Sequence, residues 1–158
     1  MKAADIVRLV VSIIVCLLPG VVGGIGMTGG ASPWYQQLTK PPLNPPSWVF
    51  GPVWTTLYLL MGVSLYLVWK RHSHPGATLA VGVFGAQLIL NALWTPAFFV
   101  EQSPALGLVV IIPLVILIAA CIKLFHPISR VASWLLVPYL AWVSFATYLN
   151  AGIWWLNR

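Results

Sequence analysis

Five apolar runs, each long enough to cross a bilayer as a helix, constrain this chain more than any other feature. They cover residues 9–27, 48–69, 77–100, 105–125 and 131–156. About 20 apolar residues carry a helix through the hydrocarbon layer. Inside lipid only segments that satisfy their own backbone hydrogen bonds persist, which leaves helices and closed barrels. Barrel strands would alternate apolar and polar residues, and these runs do not. The expectation is an all-α integral membrane bundle of five transmembrane helices, a single domain over residues 1–158. Composition agrees, because 6% of positions are charged where a soluble domain carries roughly 25%.

The first run has a rival reading. Lys2 and Arg8 ahead of residues 9–18 resemble the start of a secretory signal peptide. The apolar stretch continues through Val21, Val22, Ile25 and Met27, however, beyond a signal core, and reads as a retained helix. Pro19, Gly20, Gly23, Gly24 and Gly26 within it either kink the helix or let neighbours pack closely.

The net charge of +6 comes from scattered residues, with no basic run that would suit nucleic acid. Its use is orientation. Lys2, Arg8, Lys70, Arg71, Lys123 and Arg130 fall on one side, and only Lys40 and Arg158 on the other. The positive-inside rule then puts the amino terminus inside and the 34–47 loop and carboxy terminus outside. His72, His74 and His126 share the inner side and read as headgroup-level turns rather than metal ligands. Cys16 and Cys121 lie deep in apolar runs and read as small apolar side chains, not as a disulfide or metal site.

Polar residues inside the spans are few. No Asp, Glu, Lys or Arg stands mid-span, which argues against a proton relay or ion-coupled pump. Gln87, Asn91 and Thr95 recur every four residues and share a helix face, with Trp94 and Phe98 on or beside it. That face either holds the bundle together by interhelical hydrogen bonds or forms a cavity wall. Trp54 and Tyr58 lie one turn apart, and Pro138, Trp142, Ala146 and Asn150 align on the fifth span beside Tyr139. Trp48, Trp69, Trp154 and Trp155 stand at run ends, where interfacial aromatic belts account for them. Trp54, Trp94 and Trp142 stand deeper, where facing rings either pack the core or form a slot for a planar ring system. No catalytic constellation appears, and the sole glutamate, Glu101, sits at a turn without an obvious partner.

The long first connection is organised by proline. Pro41, Pro42, Pro45 and Pro46 fix φ and remove donors, so residues 40–47 should form an extended strap, a good lid over whatever lies below.

Three blocks in order carry a resemblance: WYQQLTKPPLNPPSWVFGPVWTTLY at 34–58, QLILNALWTPAFF at 87–99 and VPYLAWVSFATYLN at 137–150. They resemble the translocator protein family (TspO/MBR), also called tryptophan-rich sensory proteins or peripheral-type benzodiazepine receptors. The resemblance implies a five-helix bundle, commonly a homodimer, with a ligand cavity beneath the first loop. It implies binding of porphyrins, chiefly protoporphyrin IX and haem, and of drug-like benzodiazepine-site ligands, with no cofactor or metal required. It assigns the pocket to Tyr35, Pro45, Phe50, Trp54, Tyr58, Asn91, Trp94, Trp142 and Ala146. Trp54 and Trp142 match two tryptophans linked to light-dependent porphyrin breakdown in some members. The cholesterol-recognition pattern of animal members is absent, since Tyr148 has no basic residue within five positions. A bacterial-type member in a bacterial cell membrane is therefore expected.

The resulting expectation is a tetrapyrrole between the second, third and fifth spans, stacked on Trp54, Trp94 and Trp142, with hydrogen bonds from Tyr58 or Asn91. Lys40 at the mouth either pairs with a propionate or remains a solvated loop lysine. Three functions stay open: porphyrin transporter or sensor, light-dependent porphyrin degrader, and structural or partner-regulating membrane protein. For assembly, Gly82 and Ala86 form a small-xxx-small pair that would let two helices approach.

Overall fold

The computed structural model describes residues 2–26 and 32–158. Met27, the expected end of the first span, and the start of the following loop at 28–31 lie outside the described residues. The helices are α1 (Ala3–Gly26), α2 (Pro33–Gln37), α3 (Ser47–Trp69), α4 (Ala77–Thr95), α5 (Pro104–Phe125), α6 (Arg130–Leu135) and α7 (Val137–Leu156). The chain continues beyond α4 as a π-helical turn, Pro96–Val100. There are no strands among the described residues.

Five helical segments are long and apolar enough to cross a membrane: Ala3–Gly23, Ser47–Trp69, Ala77–Val100, Pro104–Phe125 and Arg130–Leu156. The fifth is interrupted at Leu136, between α6 and α7, just ahead of Pro138 at the start of α7. Proline lacks the N–H that would continue the ladder, so a break is tolerated there. Two starts are capped by sequence. Ser103 Oγ accepts from the Leu106 N–H at 3.2 Å, and Ser129 Oγ accepts from the Ala132 N–H at 3.3 Å.

The first span is part of the bundle. α1 packs mainly on α3, α4 on α5, and α5 on α7. A Cβ built on Gly62 would sit 2.7 Å from the Ile13 Cα, so only glycine allows α1 and α3 to approach this closely. Lipid tails supply no hydrophobic drive between helices, so such backbone proximity is a main source of association. Cys16, Met61, Phe84, Ile118, Cys121, Phe125 and Tyr139 make a fully buried centre, which places both thiols in apolar packing as expected.

The two ends of the bundle differ in chemistry. At one end Asp5 pairs with Arg8 at 3.9 Å and Lys70 at 3.5 Å, while the Arg71 guanidinium donates to the Ile128 carbonyl. At the other, Asn157 Nδ2 donates to the Thr39 carbonyl and accepts, through Oδ1, from the Thr39 N–H, both at 2.9 Å. This doubled bond clamps the first loop to the carboxy-terminal end of α7.

The loop departs from the sequence reading in one respect. A short helix, α2, precedes the strap, started by Pro33. Residues 38–46 are then non-helical, with a turn at Pro42–Leu43, as the proline spacing demands. The strap is seated by Pro41, because a Cβ at Gly152 would lie 2.6 Å from the Pro41 Cβ. Tyr148 Oη donates to the Pro42 carbonyl at 3.1 Å and adds a second attachment to α7.

Candidate functional site

A cavity of about 480 Å³ lies among α1, α3, α4, α5 and α7 with Tyr35 of α2 at its loop end. Its walls are apolar and aromatic: Phe50, Trp54 and Tyr58 from α3, Trp94, Phe98 and Phe99 from α4 and its π-turn, and Val143, Ala146 and Leu149 from α7. The rings hold one another in place. Trp54 stacks on Tyr58 with centroids 5.4 Å apart, and Trp94 stacks on Phe98 at 5.3 Å. Tyr35 meets Phe98 at 6.3 Å and Phe99 at 5.5 Å, closing the loop end with a ring. Such tilted and offset ring pairs are favourable by ~0.5–1.5 kcal/mol each beyond burial, so the aromatic walls keep their shape without a ligand.

From this lining a buried polar chain runs into the bundle. Tyr58 Oη donates to Asn91 Oδ1 at 2.9 Å, Asn91 Nδ2 donates to Tyr139 Oη at 2.9 Å, and Tyr139 Oη donates to Gln87 Oε1 at 2.8 Å. It ties α3, α4 and α7 together at the depth of the cavity floor. A parallel link has Trp94 Nε1 donating to Asn150 Oδ1 at 3.1 Å while Asn150 Nδ2 donates to the Pro104 carbonyl at 2.7 Å. The face of Gln87, Asn91 and Thr95 therefore does both things its spacing allowed. Gln87 and Asn91 bond across helices, and Asn91, Trp94, Thr95 and Phe98 line the cavity.

Of the nine residues expected at the pocket, the cavity brings together seven: Tyr35, Phe50, Trp54, Tyr58, Asn91, Trp94 and Ala146. Pro45 and Trp142 stand elsewhere. Pro45 lines a separate hollow between the strap and α2, with Lys40, Asn44 and Ser47. Trp142 stands behind Phe50, ring edge to face at 5.9 Å, because its position on α7 directs it toward α3 and not toward the void. Asn91, expected either to bond between helices or to meet the ligand, bonds between helices while it lines the cavity. Both ends of its side chain are engaged, so a ligand meets the Tyr58–Asn91 pair as a unit.

The sequence reading did not foresee that α1 would form a wall. Leu17, Pro19, Gly20, Val21 and Gly23 line the cavity, yet the run holding them has no aromatic residue, and Ser12 and Cys16 are its only polar side chains. Those two residues, with the glycines and proline, were the available signal. Outside the spans, burial pushes the Tyr35 phenol above its ordinary value. It stays protonated and donates to Asn44 Oδ1 at 3.2 Å, joining α2 to the strap. No group of three or more metal-ligating side chains occurs among the described residues.

What the arrangement can do chemically follows from its inventory. It offers flat aromatic faces, few hydrogen-bonding atoms that are not already paired, and no ionised group in its lining. It suits a planar, largely apolar molecule held by stacking.

Comparison with known proteins agrees with this architecture. The TspO/MBR family model matches residues 12–156. The Tryptophan-rich protein TspO of Chlorobaculum tepidum is 44% identical over 97% of this chain and 98% of its own length. That of Archaeoglobus fulgidus is 40% identical over 97% and 99%. The Translocator protein of Homo sapiens is 40% identical over 84% of this chain and 80% of its own. With one family model spanning nearly the whole bundle and relatives matched end to end, this chain is a multi-pass integral membrane protein of the TspO/MBR family.

Proposed function

We propose that this protein binds porphyrins, protoporphyrin IX or haem, in the cavity beneath the first loop, and serves as a tetrapyrrole transporter or sensor. One observation carries the reading: an apolar void of about 480 Å³ whose walls are preformed by the Trp54–Tyr58 and Trp94–Phe98 stacks. Ligand sites for small molecules are typically hollows of ~300–1,000 Å³, mostly apolar with a few fixed polar groups. Drug-like aromatic compounds fit the same description. Several ring contacts of this kind, added to the apolar area they bury, support micromolar affinity, about 8 kcal/mol. The lining contains no histidine, so the free-base porphyrin should bind without iron.

A second reading has its own observation. Trp54 lines the cavity and lies face to face with Tyr58, an arrangement in which an excited porphyrin would meet an oxidisable indole directly. Light-dependent degradation would then proceed through Trp54, with Trp142 one ring further back behind Phe50. Titration with protoporphyrin IX in darkness, followed by illumination, separates the readings. Binding alone gives saturable tryptophan quenching and an unchanged porphyrin spectrum in light. Degradation adds a light-dependent product that Trp54→Phe removes and Trp142→Phe only slows. If quenching never saturates and Trp54→Phe merely lowers the unfolding midpoint, the aromatics are packing and the porphyrin reading fails.

Assembly and sidedness belong to the same proposal. The protein would lie in a bacterial cell membrane as a homodimer, amino terminus inside. Gly82 faces outward, with nothing within 4 Å of a Cβ built there. Gly82→Leu should shift the detergent-solubilised particle from dimer to monomer in size. An unchanged size would remove this face from the interface.

A further inference from the structure

The cavity takes the body of a planar ligand but has no place for its charge. None of its lining residues is a lysine, arginine or histidine, and a carboxylate buried in an apolar membrane site without a partner carries a desolvation cost that few contacts offset. An anionic group on the ligand is therefore better placed at the loop end, where it can meet a cation. At that end of the bundle the chain's basic residues are Lys40 and Arg158. Arg158 is turned away, its guanidinium carbon 3.3 Å from the ring centroid of Trp155.

Lys40 is placed for the role. It lines the second hollow, between the strap and α2, together with Tyr35, Asn44 and Ser47. Tyr35 is the partition between the two spaces. Its ring faces Phe98 and Phe99 in the cavity, and its hydroxyl reaches Asn44 in the hollow. Lys40 Nζ lies 4.8 Å from the centroid of that same ring, so the cation stands directly across the partition from the aromatic slot. Its neighbours are carbonyls and not carboxylates: it donates to the Leu38 oxygen at 3.2 Å and the Gln36 oxygen at 3.5 Å. The chain has two acidic residues. Asp5 is engaged at the opposite end, and the ion pairs among the described residues do not involve Lys40. An ammonium with three N–H donors and no anionic partner is thus held half-buried at the rim of an apolar slot.

We infer that the Lys40 hollow is an anion subsite of the cavity, and that the ligand is a planar amphiphile whose carboxylate crosses Tyr35 to reach Lys40. The inference rests on the porphyrin reading and deepens it by separating acids from neutral esters. It also assigns a direction: the apolar edge of the ring lies deep against Tyr58 and Asn91, and the acid edge lies under the strap.

The test compares protoporphyrin IX with its dimethyl ester, titrated in darkness against the full-length protein in nanodiscs of zwitterionic lipid. The free acid should bind wild type about tenfold more tightly than the ester, as expected for a charge-assisted hydrogen bond at a partly buried site. Lys40→Gln should bring the acid down to the ester's affinity and leave the ester unchanged, and Lys40→Arg should preserve the difference. The unfolding midpoint of Lys40→Gln should fall only slightly, since the half-buried side chain gives up two bonds to backbone carbonyls and its contact with the Tyr35 ring, and unchanged ester binding shows that the cavity is intact. Equal binding of acid and ester by wild type, or an equal loss of both in Lys40→Gln, would overturn the subsite while leaving porphyrin binding intact. Failure of both compounds to bind saturably is a different outcome, and it would overturn the porphyrin reading together with the subsite.

Discussion

Gly62→Leu is expected to detach α1 from the bundle and to give the largest loss of stability of any single substitution considered. A Cβ at this position already meets Ile13 at its Cα (2.7 Å), Cγ1 (2.9 Å) and N (3.1 Å). Two of these are backbone atoms, which cannot rotate aside as a side-chain tip would. Leucine adds three further carbons, so the helices must separate along their main contact. Overpacking of a close interface costs ~1–3 kcal/mol or more, and loss of the neighbouring contacts of Cys16 and Leu17 adds to that. Thermal unfolding in mild detergent is the measurement, with Gly62→Ala as a milder step. The midpoint should fall in the order wild type, Ala, Leu. A Gly62→Leu protein that unfolds with wild type would mean that α1 does not approach α3 as described.

Ala146→Phe is expected to abolish porphyrin binding while leaving the fold in place. Ala146 lies on α7 at the cavity wall, so a phenyl ring there enters existing space rather than a packed core. The ligand and the new ring would then compete for one slot. Displacing a stacked ring by a few kcal/mol corresponds to a weakening of more than about a hundredfold. Dark quenching by protoporphyrin IX measures it, and the unfolding midpoint should stay within a degree or two. Trp142→Phe is the informative contrast. That side chain stands behind Phe50, outside the lining, and the substitution should weaken dark binding far less. Comparable losses at the two positions would mean that the ligand occupies a different space.

The opposite expectations for these two positions show where sequence reading ends. Trp142 and Ala146 are one helical turn apart, share a face by spacing, and were both expected at the pocket. Spacing places residues on a face of one helix, but it does not say which part of that face meets a neighbour and which a void. The rotation of α7 about its axis and the ring of Phe50 decided that, and both depend on α3. Asn91 teaches the same lesson in polar terms. Its position every fourth residue from Gln87 and Thr95 marked it as important. Whether its amide serves a ligand or the protein depended on Tyr58 and Tyr139, which are 33 and 48 residues away in the chain.

What the sequence determined unaided was the membrane architecture, the extended strap and the chemistry available at its cover. These are properties of local stretches: hydrocarbon thickness sets the length of an apolar run, and proline sets its own backbone geometry wherever it stands. The tertiary structure alone decided that α1 forms a cavity wall, that Trp142 is set back, that Asn91 is already paired and that Lys40 stands across Tyr35 from the void. Each of these is a relation between segments distant in the chain. It arises from how closely helices approach, and that distance is controlled by single contacts such as Gly62 on Ile13 and Pro41 on Gly152, which no one-dimensional pattern records.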